Sequence, residues 1–288
     1  MLQKCVFVVT VFISLSLFAN EKTADEQETI YWQTYHRPPG VILTGPSQGK
    51  GFIQQVLQLI INKLPEYDHQ MPLTTLARAI EDIKHEKYSC HPALFKTVER
   101  EKYMYFSSAA VVNPTNRVIT KKGLFDNYLR NGRIDLREIA ESQKFTFTLV
   151  KSRSFTAEID VVIAQYMREE GVFLMSNTDL SPTFQMIELG RVDATIAYPF
   201  ELNYYAQNYA LSLAKFDIYP IVGVPLFSVG HVACPRNEWG KSVIAKIDVI
   251  LAELKSTKRY KYALTSGWQY ERNNPLFNDF YQHEFLTR

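Results

Sequence analysis

The chain has 288 residues, of which 46% are hydrophobic, 22% charged and 13% aromatic, a globular composition that excludes disordered and fibrous classes. At this length one hydrophobic core usually divides into two, so two domains are expected. Lys plus Arg numbers 32 against 30 Asp plus Glu, a net charge of +2, which leaves no broad electrostatic footprint for a nucleic acid and argues against one as partner.

Lys4, the apolar run Val6–Phe18 and the small Ala19 read as a secretory signal peptide over residues 1–19, with cleavage near Ala24 or an uncleaved anchor as alternatives. The run is too short to span a bilayer comfortably. An exported chain meets an oxidising compartment, where Cys90 and Cys234 make an even pair once Cys5 is removed. Three readings stay open for the pair: a disulfide, two free thiols, or a zinc set shared with His91 and His231. Adjacent Cys90 and His91 fit one metal poorly, so the disulfide is expected, with neither metal nor cofactor. Such a bridge closes a loop of about 145 residues, worth about 4–5 kcal/mol in the chain-entropy model.

Glu21–Glu28 is a polar leader, and Thr29–Tyr35 is a β-rich run stopped by the turn residues Pro38, Pro39 and Gly40. After Gly51, the apolar positions Phe52, Val56, Leu59, Ile60 and Leu64 predict an amphipathic helix ended by Pro65. Leu76, Ile80 and Ile83 predict a second helix, capped by Thr74 or Thr75, and a strand follows near Tyr88–Phe95. The middle of the chain repeats the scheme: a strand over Phe145–Val150, a polar turn over Ser152–Thr156, a helix carrying Ile159, Val162, Ile163, Tyr166 and Met167, a short helix around Phe184 and Ile187, and a strand over Ala194–Tyr198. Val243, Ile247, Ile250, Leu251 and Leu254 mark a long late helix. Alternating strands and helices point to α/β sheets covered by helices. Two α/β blocks flank two extended segments, Ala109–Lys121 and Tyr219–Val232, which suits a hinge.

The segment Thr97-Val-Glu-Arg100-Glu-Lys-Tyr-Met-Tyr-Phe106-Ser107 resembles the T-x-E-R-x-x-x-x-x-F-S signature of the family 3 extracellular solute-binding proteins. Gly49-Lys-Gly51-Phe52 is similar to that family's glycine approach to its first helix, and Leu189-Gly-Arg-Val-Asp193-Ala to its helix-to-strand turn. The likeness runs loosely from Thr29 to about Lys255, and its nearest look-alikes form a branch without assigned ligands. The resemblance implies a two-lobed α/β fold of the type II periplasmic binding proteins, with lobe one over residues 29–112 and 230–288 and lobe two over 113–229. It implies a periplasmic, monomeric protein that closes on a small-molecule ligand and delivers it to an inner-membrane ABC permease, or reports it to a membrane signalling receptor.

The matching arginine of the family grips the ligand's carboxylate, a role that the resemblance carries to Arg100. A planar guanidinium suits it, because it can hold a carboxylate with two parallel hydrogen bonds. The other reading of Arg100 is a structural pair with Glu99 or Glu101. Phe95 precedes the motif on a strand end, and Tyr35 stands at the carboxyl end of the first strand, where ligands of open α/β sheets sit. In the second lobe Ser154 and Thr156 lie in a strand-to-helix turn whose free N–H groups favour anions. Family members that bind amino acids pair the ligand ammonium with an Asp near the place of Tyr198. A phenol does not neutralise a cation, so an α-amino acid ligand is in doubt unless Glu201 substitutes. Asp193 is expected to be a turn residue. No G-x-S-x-G, H-E-x-x-H or phosphate-binding loop is present, so an enzyme is not expected, and a dehydratase-like activity on the same scaffold is the remote rival.

Overall fold

The structure is a computed structural model that describes residues 28–85, 88–167, 172–176, 180–268 and 273–288. The expected signal peptide over residues 1–19 lies outside the described residues. Among those described, no helix is long and apolar enough to cross a membrane.

Two five-stranded sheets organise the chain. In the first, Asp68–Gln70, Thr29–Trp32 and Ser89–Leu94 run parallel, and Phe227–Pro235 and then Met104–Pro114 complete it antiparallel. In the second, Phe173–Ser176, Phe147–Val150 and Ala194–Ala197 run parallel, followed antiparallel by Arg117–Lys121 and Phe216–Tyr219. The chain passes between the sheets twice, from Met104–Pro114 into Arg117–Lys121 and from Phe216–Tyr219 back into Phe227–Pro235. The crossings lie side by side, since Thr115 N–H donates to the Leu226 carbonyl (2.9 Å) and Phe227 faces Pro114 in register. Both expected extended segments thus end up as neighbouring strands that span the junction.

Local sequence explains the elements around the cleft. The helix Phe52–Ile61 buries Phe52, Ile53, Val56, Leu57, Leu59 and Ile60. It starts at Gly51, where an added Cβ would stand 2.3 Å from the Gly40 carbonyl oxygen, so only glycine lets the two turns touch. Gln54 fastens this start: its Oε1 accepts from Gly51 N–H (3.1 Å) and Ile42 N–H (2.8 Å). The helix ends at Ile61, a turn earlier than the Leu64 periodicity predicts. The second helix spans Leu76–His85, and Thr75 Oγ1 accepts from Arg78 N–H (3.2 Å). The predicted strand Thr29–Tyr35 breaks at Gln33: Thr29–Trp32 joins the large sheet, while Thr34–Tyr35 pairs with Leu73–Thr74. Two helices after Lys255, Lys258–Thr265 and Pro275–His283, have no counterpart in the sequence reading. They bring Tyr260, Phe277 and Tyr281 into the first core.

Cys90 and Cys234 form a disulfide across a sequence separation of 144 residues. It joins the neighbouring strands Ser89–Leu94 and Phe227–Pro235, both ends fully buried. That excludes the zinc and free-thiol readings here, and no metal-ligand group of three or more His, Cys, Asp or Glu occurs among the described residues.

Candidate functional site

Three segments of the first lobe and one turn of the second converge on a cavity of about 40 Å³. The strand Ser89–Leu94 contributes His91 from its length and runs on to Phe95 at its carboxyl end. The helix Val98–Glu101 adds Arg100, the turn after Thr34–Tyr35 adds Arg37, and the turn after Phe147–Val150 adds Arg153 and Ser154. Tyr35, Asn113, Tyr198 and Gly230 also line the space. At Gly230 a Cβ would come within 2.7 Å of Val111 Cγ2, so a bare backbone keeps the floor of the cavity open.

Arg100 is placed by its own short helix. Thr97 caps it by accepting from Arg100 N–H (3.3 Å), which aims the side chain back along the strand end. Arg100 is buried, 5% exposed. Its Nη1 donates to the Phe95 carbonyl (2.9 Å), and its Nη2 donates to the Ser152 carbonyl of the other lobe (3.3 Å). Ser152 presents that carbonyl from a left-handed backbone conformation (φ 63°). The surface-pair alternative fails, because Glu99 pairs with Lys102 and Glu101 with Lys96. Burial pulls the Arg100 pKa below the ordinary arginine range, with Tyr103, Asp160 and Tyr35 working the other way.

Arg153 and Glu201 form a buried ion pair, Nη2 to Oε2 at 2.9 Å, with side chains 5% and 1% exposed. Arg153 Nη2 also donates to Asn116 Oδ1 (3.1 Å) in one crossing segment. Burial disfavours the charge on Arg153, and Glu201, Tyr35 and Tyr198 more than offset it, so its pKa stands above the ordinary value. Glu201 Oε2 further accepts from Tyr198 N–H (2.9 Å), capping the helix Pro199–Asn208. The Tyr198 ring stacks on Phe200 (centroids 4.9 Å apart) and lies 5.0 Å from the Arg153 guanidinium carbon and 5.8 Å from that of Arg37. These are distances at which a ring face attracts a cation.

His91 is neutral. Burial, and then the nearby Arg37 and Arg100 charges, hold its pKa well below the usual histidine value. Its Nδ1 accepts from Ala93 N–H (3.0 Å), so the ring proton sits on Nε2. That Nε2, Arg37 Nε and Asn113 Oδ1 are buried at the cavity without a hydrogen-bond partner.

The structure thus brings Tyr35, Phe95, Arg100, Ser154 and Tyr198 to one cavity. Glu201 lines a separate space of about 10 Å³ with His36, Arg37 and Arg153. Thr156 occupies the N-cap position of the helix Ala157–Tyr166, yet its hydroxyl makes no capping bond and is buried without a partner. The neighbouring Phe155 amide is served by Asp160, whose Oδ1 accepts from Phe155 N–H (2.9 Å). Asp193 is a turn residue, its Oδ2 accepting from Thr146 N–H (2.8 Å). Arg37, His91 as a lining group, Asn113 and Arg153 belong to no motif in the sequence. Their only signal is position, at strand ends and in the turns that face the junction. A larger space of about 480 Å³ beside the crossings is lined by Pro39, Pro114, Pro199, Tyr204 and Trp268 among others, but by no charged side chain. Polar ligand chemistry therefore concentrates in the arginine-lined cavity.

Solved structures resemble the whole two-sheet arrangement. A mutant of ArgBP from T. maritima superposes with a TM-score of 0.64 at 15% identity, covering 84% of this chain and 96% of that one. The fold is that of the two-lobed periplasmic binding proteins. AbpA from Streptococcus pneumoniae, an amino acid ABC transporter substrate-binding protein bound to L-arginine, matches this binding-protein fold with a TM-score of 0.64 at 12% identity, covering 84% of this chain and 95% of that one. The periplasmic VFT2 domain of BvgS from Bordetella pertussis matches with a TM-score of 0.60 at 18% identity, covering 83% and 92%. No protein-family model matches the chain, and no curated protein matches its sequence. The binding-protein fold explains why the cavity lies at the junction of the sheets, outside the carboxyl ends of the parallel strands.

Proposed function

We propose that the protein is a periplasmic solute-binding protein, exported by its N-terminal signal peptide, that captures a small carboxylate-bearing ligand by hinge closure for an ABC-type transporter. Lobe one comprises residues 29–112 and 230–288, and lobe two residues 113–229. The observation that carries the reading is Arg100, buried at the cavity with its guanidinium hydrogen-bonded to backbone carbonyls on both sides of the junction. Arg100 is the carboxylate anchor in this reading. Tyr35 and Phe95 wall the ligand from the first lobe, Tyr198 and the Ser154–Thr156 turn meet it from the second, and Glu201 acts through Arg153. A ligand that touches both lobes binds the closed form more tightly than the open one, and that difference is what shifts the population towards closure. The protein acts as a monomer and carries out no reaction of its own.

A second reading is a ligand-sensing subunit for a membrane receptor. Resemblance to the BvgS periplasmic domain and to a histidine kinase sensor domain favours it. Ligand capture is common to both readings, and only the membrane partner differs.

The test is a thermal-shift panel of carboxylates, amino acids, peptides, amines and sugars on protein freed of ligand by unfolding and refolding, with Arg100→Ala alongside. A ligand at 100 times its dissociation constant adds about 2.7 kcal/mol of stability. A carboxylate that shifts the wild type and leaves the variant unmoved supports capture and anchor together. Equal shifts in both proteins remove Arg100 from the role.

A further inference from the structure

The cavity has more positive charge than one carboxylate requires. Arg37, Arg100 and Arg153 all line it, and no Asp or Glu is among its lining residues. Glu201 is committed to Arg153 and to Tyr198 N–H. Its second oxygen, without a partner, belongs to a residue lining a space separate from the cavity. Asp160 is near enough to Arg100 to influence its charge, but it is held by Phe155 N–H outside the lining. Neither Arg37 nor Arg100 has a carboxylate hydrogen-bonded to it among the described residues.

The unsatisfied groups at the wall are mostly donors. Arg37 Nε can only donate, and His91, with Nδ1 already accepting from Ala93 N–H, offers Nε2–H. Buried donors without acceptors are costly unless something supplies an acceptor. Arg100 is hydrogen-bonded to Phe95 and Ser152 carbonyls, whereas Arg37 and Arg153 lie around the Tyr198 ring. The same lining includes the apolar side chains of Leu76, Ala93, Leu94, Val111 and Val229.

From this arrangement we infer that the site takes a short dicarboxylate without an ammonium group, one carboxylate on Arg100 and the other on Arg37 and His91. This rests on the reading of the cleft as a carboxylate-binding site and narrows it. An α-amino acid would set its ammonium among three guanidinium groups with no carboxylate facing it, a like-charge arrangement that disfavours binding. A tetrahedral oxyanion would satisfy the donors but leave the apolar wall uncovered, whereas methylene groups cover it.

Isothermal titration of the refolded protein with succinate, butyrate, L-aspartate, inorganic phosphate and sulfate tests the inference, with malonate and glutarate bracketing chain length. Succinate differs from butyrate by one carboxylate and from aspartate by one ammonium. At least one of the three dicarboxylates is expected to bind tenfold or more tightly than butyrate and than aspartate. Arg37→Gln should erase the advantage of that dicarboxylate over butyrate, and Arg100→Gln should weaken both ligands at least tenfold. Circular dichroism melting of each variant separates loss of binding from loss of folding. Aspartate binding as tightly as the dicarboxylates overturns the dianion while leaving a carboxylate receptor standing. Phosphate or sulfate binding more tightly than any dicarboxylate overturns it in favour of an oxyanion site. If no carboxylate of any kind binds, the parent reading fails with it.

Discussion

Arg100 Nη2 donates to the carbonyl of Ser152 at 3.3 Å, so one guanidinium from the first lobe is hydrogen-bonded to the backbone of the second. The same guanidinium holds Phe95 O on its own side, so the side chain proposed as ligand anchor also ties the two lobes together. A hydrogen bond from a charged donor is worth about 1.5–3 kcal/mol. Arg100→Ala is therefore expected to move the equilibrium between closed and open lobes about tenfold or more towards open. Small-angle scattering checks this as a larger radius of gyration for the variant. Identical scattering curves would show that Ser152 is not a latch.

The disulfide should matter in proportion to the loop it closes. Cys90 and Cys234 are separated by 144 residues, and the chain-entropy model assigns such a bridge about 5 kcal/mol. Reduction, or a Cys90→Ala and Cys234→Ala double variant, is expected to lower the melting temperature by on the order of 10 °C. A mass map of unreduced peptides must first show Cys90 and Cys234 joined.

The Arg153–Glu201 pair is shut away from water. Removing one partner strands the other charge, which costs about 3–5 kcal/mol. Glu201→Gln is expected to lose this much in urea unfolding. Replacing both residues with apolar groups of similar volume should recover most of it. A loss of under about 1 kcal/mol for the single variant would mean that Arg153 reaches solvent.

His91 sets a pH dependence whose sign is fixed by its depressed pKa. Above about 6.5 the ring is neutral in both folded and unfolded chains, and its contribution is constant. As pH falls below that, the unfolded chain takes up a proton that the folded one refuses. Stability then drops by up to about 1.4 kcal/mol per pH unit until the folded pKa is reached. His231, pushed down by burial, adds in the same direction. Stability measured by urea unfolding between pH 7 and 5 should fall more steeply for the wild type than for His91→Gln. Parallel slopes would show that His91 is protonated in the folded protein.

Several helices of both lobes were legible because their buried faces are periodic. Phe52, Val56, Leu59 and Ile60 repeat at helical spacing, and all four are buried. Arg100 was legible through its motif, whose Thr97 cap and Phe95 strand end are local in the chain. Arg37 and Arg153 were not, since an arginine in a polar turn is most often a solvated one. What buries Arg153 is Glu201, 48 residues away, and no periodicity links such a pair. The same blindness covers the C-terminal helices, although Thr257 and the Asn274-Pro275 step are cap signals.

The strand Phe227–Pro235 lies between Ser89–Leu94 and Met104–Pro114 in the first sheet. It is made only after all five strands of the second sheet, which run from Arg117 to Tyr219. A ribosome or an export channel that releases the chain from its amino end therefore delivers a finished second lobe beside a first sheet with one inner row empty. Until that late strand arrives, Ser89–Leu94 and Met104–Pro114 each expose an unpaired edge, and such edges invite pairing with other chains. The order of emergence thus makes the first lobe the slower and more aggregation-prone half, and the one in greatest need of an escort.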